Sequence, residues 1–354
     1  MGKLLTSTEV SSVRKRHRDW YLELAERGEQ ELQGREQGSW LDRLAREHDN
    51  FRAALEFCKA GDVDKGLRLA AALRHFWYVR GYWREGRNWL ESFLSLRGGT
   101  SLQVRARALY QAGMLQDYSA EGYQRRTRLL TESLDLYSHL DDKPGIAYAK
   151  RALGHTAFLQ GDHERAVSCV GESLPLFREL GDKWGLANGL NTLGHVSVYQ
   201  RNLSQGTHYF SECLSLRREL GDKLAIASAL ECLGWVTRLT GDHARAATLF
   251  REGLVLAREL GDKRVTGECL SGIADTSSAT GELMRAGRLY GAAEVLRESL
   301  GFKGLSDDHE DEVVNVQSKL GEVGFAAARA EGRAMTLEQA IEYALTDQSD
   351  VTTP

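Results

Sequence analysis

A strict repeat of 40 residues organises the chain between residues 141 and 300. The tetrapeptide Leu-Gly-Asp-Lys, or a close variant, recurs at this spacing and starts at Leu140, Leu180, Leu220 and Leu260. A Leu-Gly pair keeps the same spacing and starts at Leu153, Leu193 and Leu233. Self-similarity at this length predicts a solenoid, in which each unit buries its apolar face against its neighbours.

The repeat from Gly221 to Leu260 predicts two amphipathic helices joined by short turns. Gly221 suits the left-handed position that ends a helix, and Asp222 beside it can cap the next one. Apolar residues then recur at i, i+3, i+4 and i+7 as far as Gly241, where the stop signal returns. Each unit is therefore a helical hairpin, and we expect about six of them between residues 61 and 300.

Small and large residues alternate in one register over four consecutive units. The second helices carry the small residues Ala166, Gly206, Ala246 and Ala286, followed four positions later by Val170, Phe210, Phe250 and Tyr290. This pattern resembles the tetratricopeptide repeat, in a 40-residue form with longer helices than the 34-residue form. The resemblance implies an all-α fold, a tetratricopeptide-like helical-hairpin solenoid wound as a right-handed superhelix.

The flanks of the array depart from the repeat, as terminal units do when one face must meet water. We assign residues 1–60 to N-terminal cap or linker helices, 61–300 to the array (clearest at 141–300), 301–345 to a C-terminal helical cap and 346–354 to a disordered tail. The pattern of apolar residues predicts one continuous helix over residues 40–60 and another over residues 67–80. Pro144 suits the first turn of a helix, whereas Pro175 should kink or shorten the helix that begins at His163.

Composition favours a cytoplasmic protein. The chain is 42% hydrophobic with only three prolines, and its five cysteines form no CxxC pair, which is typical of buried thiols in a reducing compartment. No apolar run reaches the ~18 residues of a membrane span, and no signal peptide opens the chain. A net charge of −4 gives no overall attraction to nucleic acid or lipid. We interpret the basic run from Arg14 to Arg18 as a solvated helix face.

No pattern of residues predicts a catalytic, cofactor-binding or metal site. His75, His155 and His195 share one repeat position, but adjacent helices stack ~8–10 Å apart, too far for one ion to join them. The acidic residues from Asp307 to Asp311 suit the N-terminal dipole of a helix better than acid–base chemistry. We therefore expect a protein that is not an enzyme and uses no cofactor.

Both flanks and the array are similar to one known architecture. Trp40–Leu44 and Glu47–Leu55 resemble the segment that follows the nucleotide-binding and winged-helix regions of bacterial STAND ATPases, which are LuxR-family-like transcriptional regulators. The runs Gly291–Glu294, Phe325–Ala328 and Gly332–Ala340 resemble the end of their helical sensor region. In that family the repeats are implied to be the arm that senses a ligand or partner and restrains the ATPase.

The chain lacks the GxxxxGK[ST] phosphate loop of these ATPases, and no helix-turn-helix follows Leu345. We therefore expect an excised or stand-alone sensor arm whose partners include an ATPase or DNA-binding module that is missing from this chain. Direct nucleic-acid binding, ATP hydrolysis and membrane binding are not expected.

Inward positions on the first helix of each hairpin mix Asn, Arg, His and aromatic residues. We predict that a partner or ligand binds in the concave groove at Arg151, His155, Asn188, Asn191, His195, Tyr199, Glu231, Trp235, Arg238, Glu268 and Asp275, with Phe158, Ser228 and Ser271 completing the row. Asn carboxamides can hold a peptide backbone by paired hydrogen bonds, independent of the peptide's side chains.

The leading hypothesis is a peptide- or protein-binding sensor arm of a transcription-regulating STAND-type ATPase. The alternative is a small-molecule sensor that binds a sugar in the same groove, through Asn191, Tyr199 and Trp235. Trp235 itself has two interpretations. It is either the aromatic anchor of the ligand, or a structural residue packed against the next hairpin.

Overall fold

The computed structural model describes residues 7–32, 36–96, 98–117, 119–300 and 309–346, and all regular structure in these ranges is helical. Many consecutive helices pack against each other. They form two compact units, one within residues 1–196 and one within residues 197–354, so the boundary falls inside the predicted array. No described helix is long and apolar enough to cross a bilayer.

The first unit begins with three helices that precede the first repeat-like hairpins. Its helices are α1 (Ser7–Glu31), α2 (Gln37–Arg46), α3 (His48–Lys59), α4 (Val63–Ala72), α5 (Arg74–Val79), α6 (Trp83–Ser95), α7 (Leu102–Met114), α8 (Ala120–His139), α9 (Lys143–Leu159), α10 (His163–Leu180) and α11 (Lys183–Tyr199). The last residues of α11, from Ser197 on, belong to the second unit.

The second unit continues the hairpins and ends in two helices outside the repeat. Its helices are α12 (Leu203–Leu220), α13 (Lys223–Leu239), α14 (His243–Leu260), α15 (Lys263–Ala279), α16 (Leu283–Ser299), α17 (Glu310–Arg333) and α18 (Leu337–Leu345). Gly321 breaks the backbone of α17 with φ 71° and ψ 160°. Thr336 caps α18 with a reciprocal capping box.

One turn type joins successive hairpins. Gly221 and Gly261 end α12 and α14 in the left-handed region, with φ 72° and 66°, where a residue without Cβ is unstrained. The side chain of Asp222 then accepts a hydrogen bond from the Ala225 amide at 3.1 Å, which caps the first turn of α13. Asp262 accepts from the Val265 amide at 2.7 Å and caps α15 in the same way. The predicted stop-and-cap signal is confirmed.

Small residues on one helix receive large ones on the next. A Cβ at Gly154 would lie 2.5 Å from Cγ2 of Val170, and one at Gly234 would lie 2.9 Å from the ring of Phe250. Both large side chains are fully buried. The alternation of small and large residues therefore sets the close approach of the two helices within a hairpin, as the repeat pattern predicted.

Two predicted helices are each divided into two. Residues 40–60 break at Glu47, and residues 67–80 break at Leu73. Glu47 accepts a hydrogen bond from the Tyr21 hydroxyl of α1 at 2.7 Å, and α2 and α3 both pack against α1 on either side of this break. The prediction of one continuous helix in each segment is wrong, and at Glu47 the break lies where tertiary contacts to α1 outweigh local periodicity.

The two prolines of the array lie inside helices. Pro144 lies in the first turn of α9, as predicted. Helix α10 runs through Pro175 to Leu180, so the expectation of a shortened helix is wrong. Pro175 and Gly171, whose carbonyl loses its helical partner, are both exposed, and water can replace that hydrogen bond.

Candidate ligand-binding face

Helices α9 and α11 place five predicted residues of the first unit along one row. We call Arg151, His155, Asn188, Asn191 and His195 the first inner row. The rings of Phe158 on α9 and His195 on α11 stack with centroids 5.8 Å apart, so the two helices present neighbouring side chains. His155, Asn188, Asn191 and His195 are half-buried, which leaves part of each side chain open to a ligand.

The two asparagines of the first inner row differ in their hydrogen bonds. Asn188 donates from Nδ2 to the Trp184 carbonyl of its own helix at 2.8 Å. The Oδ1 atom of Asn191 is buried and has no hydrogen-bond partner. A buried carbonyl oxygen without a donor is costly, so Asn191 is prepared to accept a hydrogen bond from a bound molecule.

Arg151 lies deeper than the rest of the first inner row and is only 7% exposed. Its Nη2 donates to the Tyr110 hydroxyl at 3.0 Å, and its guanidinium lies 6.0 Å from the centre of the Trp184 ring. Tyr110 and Trp184 line a cavity of about 360 Å³ in the first unit. We call this cavity the arginine pocket, and its walls include Arg74, His75, Tyr110, Gln111, Tyr148 and Trp184.

Two of the histidines at the shared repeat position, His75 and His155, are uncharged at neutral pH. Burial lowers the pKa of His75 to about 3, and burial together with Arg126 lowers the pKa of His155. The Nδ1 atom of His155 lies 3.3 Å from Nη2 of Arg126. In the described ranges, no three His, Cys, Asp or Glu side chains are grouped to hold a metal ion.

The second unit carries the other six predicted residues, which we call the second inner row: Tyr199, Glu231, Trp235, Arg238, Glu268 and Asp275. Their exposure differs sharply. Tyr199 is 51% exposed, whereas Trp235, whose ring centre lies 6.0 Å from that of Tyr199, is 8% exposed. Trp235 therefore has little free surface on which to stack a ligand, and its contacts favour the structural interpretation.

Asp275 and Glu268 are occupied by the protein itself. The carboxylate of Asp275 is fully buried and accepts from the Tyr290 hydroxyl. His309, which precedes α17, lies with Nδ1 2.7 Å from Asp275 and Nε2 3.7 Å from Glu268. These two carboxylates raise the pKa of His309 to about 9 against the effect of burial, so the imidazole is charged at neutral pH. The start of α17 thus covers α15, and Asp275 is out of reach of a ligand.

The other two charged residues of the second inner row have different surroundings. Arg238 lies with Nε 3.1 Å from the Asp275 carboxylate. Burial raises the pKa of Glu231 to about 7, which Arg264 only partly opposes. Glu231 is therefore partly protonated near neutral pH, as a carboxyl in a poorly solvated site should be.

The remaining predicted features are easily placed. In the basic run, Arg14, Lys15 and Arg16 are exposed on α1, while Arg18 is buried and pairs with Asp19 and Asp62. Glu310 and Asp311 occupy the first turn of α17, where the helix dipole favours them. Asp307, Asp308 and the predicted tail after Thr346 lie outside the described residues.

The arginine pocket itself was not predicted. Gly113 precedes Gly154 by 41 residues, one more than the repeat, which indicates a one-residue insertion between them, and Tyr110 precedes Arg151 by the same 41 residues. The insertion hides this equivalence from a search at fixed spacing. Arg74 lies two units upstream, beside the break at Leu73, where the repeat register is weak.

Sequence comparison finds a partial relative. No family profile matches the chain. A predicted HTH-type transcriptional regulator of Mycobacterium tuberculosis is 31% identical over 162 residues, which cover 44% of this chain and 18% of the relative. The chain thus spans less than a fifth of the length of that regulator.

Solved structures share the architecture at low sequence identity. A Rap protein complexed with Competence and Sporulation Factor gives a TM-score of 0.60 at 12% identity, covering 94% of this chain and 99% of that one. A STAND protein with a tetratricopeptide repeat sensor from Pyrococcus horikoshii gives 0.58 at 12%, covering 84% and 46%. Each unit is a tetratricopeptide-like array of helical hairpins.

A third neighbour of this tetratricopeptide-like array was solved with a peptide. The Rap conjugation gene regulator of the plasmid pLS20, in complex with the Phr* peptide, gives a TM-score of 0.51 at 15% identity and covers 82% of this chain and 79% of that one. These neighbours confirm the predicted all-α helical-hairpin fold. The resemblance to the repeat sensor of STAND proteins is confirmed at the level of the fold.

Proposed function

We propose that the chain is a non-catalytic, peptide- or protein-binding sensor arm in a cytoplasmic signalling pathway that regulates transcription. In this proposal a partner binds along the first inner row, and an ATPase or DNA-binding module receives the signal. The shared fold supports the sensor role, since two of the neighbours were solved with Competence and Sporulation Factor and with the Phr* peptide. The HTH-type relative supports a link to transcription.

The observation that carries the proposal is the unpartnered Oδ1 atom of Asn191 beside half-buried His195. An extended peptide offers backbone N–H groups that can satisfy this acceptor, and the amide N–H₂ of the same side chain can donate to a peptide carbonyl. The stacked rings of Phe158 and His195 provide an apolar surface beside these polar atoms. Together these groups suit the polar backbone of an extended peptide.

A sugar in the same groove has less support. Stacking of a sugar needs an open aromatic face, and Trp235, the ring assigned to it, is largely covered. Tyr199 is the exposed aromatic residue of the second inner row. The peptide hypothesis does not depend on either ring.

Affinity selection from a random pentapeptide mixture, read by mass spectrometry and followed by calorimetry on the selected peptides, tests the proposal. Asn191→Ala should weaken binding about tenfold or more, because it removes a buried hydrogen-bonding group that the bound peptide needs. Asn88→Ala is the matched control, since Asn88 is exposed on α6. Equal affinity in wild type and Asn191→Ala, or selection of no peptide by the wild type, would contradict the proposal.

A further inference from the structure

The arginine pocket is lined by two arginines, Arg74 and Arg107, and two carboxylates, Glu29 and Asp142, and the guanidinium of Arg151 lies against its wall residues Tyr110 and Trp184. Arg107 forms an ion pair with Glu29. Asp142 accepts from the Gly145 amide at 3.0 Å as the cap of α9 and also accepts from Gln103. The two acidic side chains of the pocket walls are therefore already engaged.

Two guanidinium groups remain without an acidic partner. Arg74, on the pocket wall, donates from Nε to the Gln111 amide oxygen at 3.0 Å, and Arg151, at the pocket's edge, donates to Tyr110. Among the described residues, neither forms an ion pair, although Glu29 attracts Arg74 and partly opposes the lowering of its pKa by burial. Nε of Arg151 is buried with no hydrogen-bond partner, and burial lowers the pKa of Arg74.

Buried guanidinium groups without a carboxylate partner cost free energy. A charge that leaves water without a counter-charge loses solvation that a neutral hydrogen bond only partly replaces. His75 is neutral, and both of its ring nitrogens, one of which carries a proton, are buried without partners. The pocket region thus offers unpartnered buried nitrogens and two guanidinium groups without an ion pair, which a bound anion can satisfy.

We propose that the arginine pocket binds a carboxylate of an extended peptide, with Arg74 and Arg151 as its charged contacts. Planar guanidinium groups match a carboxylate in geometry and bind it through charge-assisted hydrogen bonds. The rings of Tyr148 and Trp184 on the same walls pack against the peptide next to that group. This inference rests on the proposed function and gives the partner a chemical class: a peptide whose terminus or side chain is acidic.

The carboxylate has two possible sources, a free C-terminus and an Asp or Glu side chain. The test uses two random pentapeptide mixtures, one with free C-termini and one with amidated C-termini, in the same affinity selection. Enrichment of free acids alone assigns the terminal carboxylate. Enrichment of Asp- or Glu-containing peptides from both mixtures assigns the side chain, and either result supports the pocket.

Variants then test the guanidinium groups. Arg74→Gln should weaken binding of the selected peptides about tenfold or more, since a charge-assisted contact is lost. Arg218→Gln is the matched control, because Arg218 is an exposed arginine on α12 that pairs with Glu252. The affinity of Arg218→Gln for the selected peptides should equal that of the wild type.

A stability measurement separates a ligand contact from a structural one. Arg74→Met keeps the aliphatic stem and removes the charge, so the unfolding midpoint without peptide should stay equal or rise. Peptide should raise the midpoint of the wild type more than that of the variant, as binding linkage requires. A clear fall of the ligand-free midpoint would mark Arg74 as structural and overturn the inference.

The inference and the proposed function fail in different ways. If the wild type selects peptides without acidic groups, with an affinity that depends on Asn191 but not on Arg74, the arginine pocket inference is overturned and the proposed function stands. If the wild type selects no peptide from either mixture, both are overturned.

Discussion

Glu231 shows how one buried carboxyl group makes stability depend on pH. Its pKa is raised to about 7 in the folded protein, chiefly by burial. An acid with a raised folded pKa destabilises the native state increasingly as pH rises from its unfolded value of about 4.3 through the folded one. Below that window the Glu231 carboxyl is neutral in both the folded and the unfolded state, so it does not make stability depend on pH.

Glu231→Gln should therefore stabilise the protein at alkaline pH. We expect the free energy of unfolding to rise by about 1–2 kcal/mol near pH 8.5 and to change little near pH 4. Denaturant unfolding at the two pH values measures the difference. A change of equal size at both values would mean that the substitution acts through packing and not through charge.

Trp235 provides a second test at the residue scale. Because the ring is 8% exposed, Trp235→Ala should leave a cavity and destabilise the second unit by ~3–5 kcal/mol. Tyr199→Ala, which truncates the exposed neighbouring ring, should cost less than about 1 kcal/mol. If Trp235→Ala unfolds like the wild type, the ring is not part of the core and its role as a ligand anchor regains support.

The sequence predicts the register of these residues better than their surroundings. Asp275 occupies the inward position that the repeat assigns to it, yet it is covered by His309. His309 follows the end of the period, so no pattern within a repeat could show that it folds back. Arg74 was not predicted for a related reason. Its unit lacks both markers of the repeat, the Leu-Gly-Asp-Lys tetrapeptide and the Leu-Gly pair.

At the scale of the helices, α16 and α17 approach each other most closely through glycines. A Cβ at Gly332 would lie 1.8 Å from the Arg288 carbonyl oxygen, and one at Gly291 would lie 2.1 Å from that of Arg329. These contacts are to backbone atoms, which cannot move aside as a flexible side chain can. The two helices must separate if either glycine gains a side chain.

Gly332→Ala should consequently lower the thermal unfolding midpoint and cost about 1–3 kcal/mol, the usual range for overpacking. Gly324→Ala on the same helix is the control. A Cβ there would meet only Leu320, at 3.5 Å, so the better helix propensity of alanine should stabilise by up to about 1 kcal/mol. Opposite signs for the two variants are expected, and a stabilising Gly332→Ala would refute the close approach.

Most helix ends could be predicted because each depends on a few adjacent residues. The Gly-Asp pairs end one helix and cap the next through contacts within three or four residues. The break at Glu47 depends instead on packing against α1, which periodicity does not encode. Pro175 was misjudged because the cost of its missing hydrogen bond depends on exposure, and exposure is a property of the folded helix.

For the whole molecule, stability should be distributed by nearest neighbours, as in other repeat arrays. Phe250→Ala removes a buried ring between α13 and α15 and should cost ~3–5 kcal/mol. Hydrogen exchange should accelerate first in α13, α14 and α15, while the first unit keeps its protection. Val255→Ala, an exposed position on α14, should leave exchange unchanged. Uniform acceleration along the described chain would contradict nearest-neighbour stability.

The identical turns at Gly221 and Gly261 have an evolutionary consequence. Both glycines have nearly the same φ, and each is followed by Asp-Lys and a capped helix. Recombination in the gene at these two places would delete or duplicate one hairpin of 40 residues and rebuild the same Gly-Asp-Lys junction. The altered protein would keep the same turn between hairpins and would need no other turn sequence to fold. The reach of such an array toward a longer or shorter partner can therefore change in whole hairpins, through single genetic events.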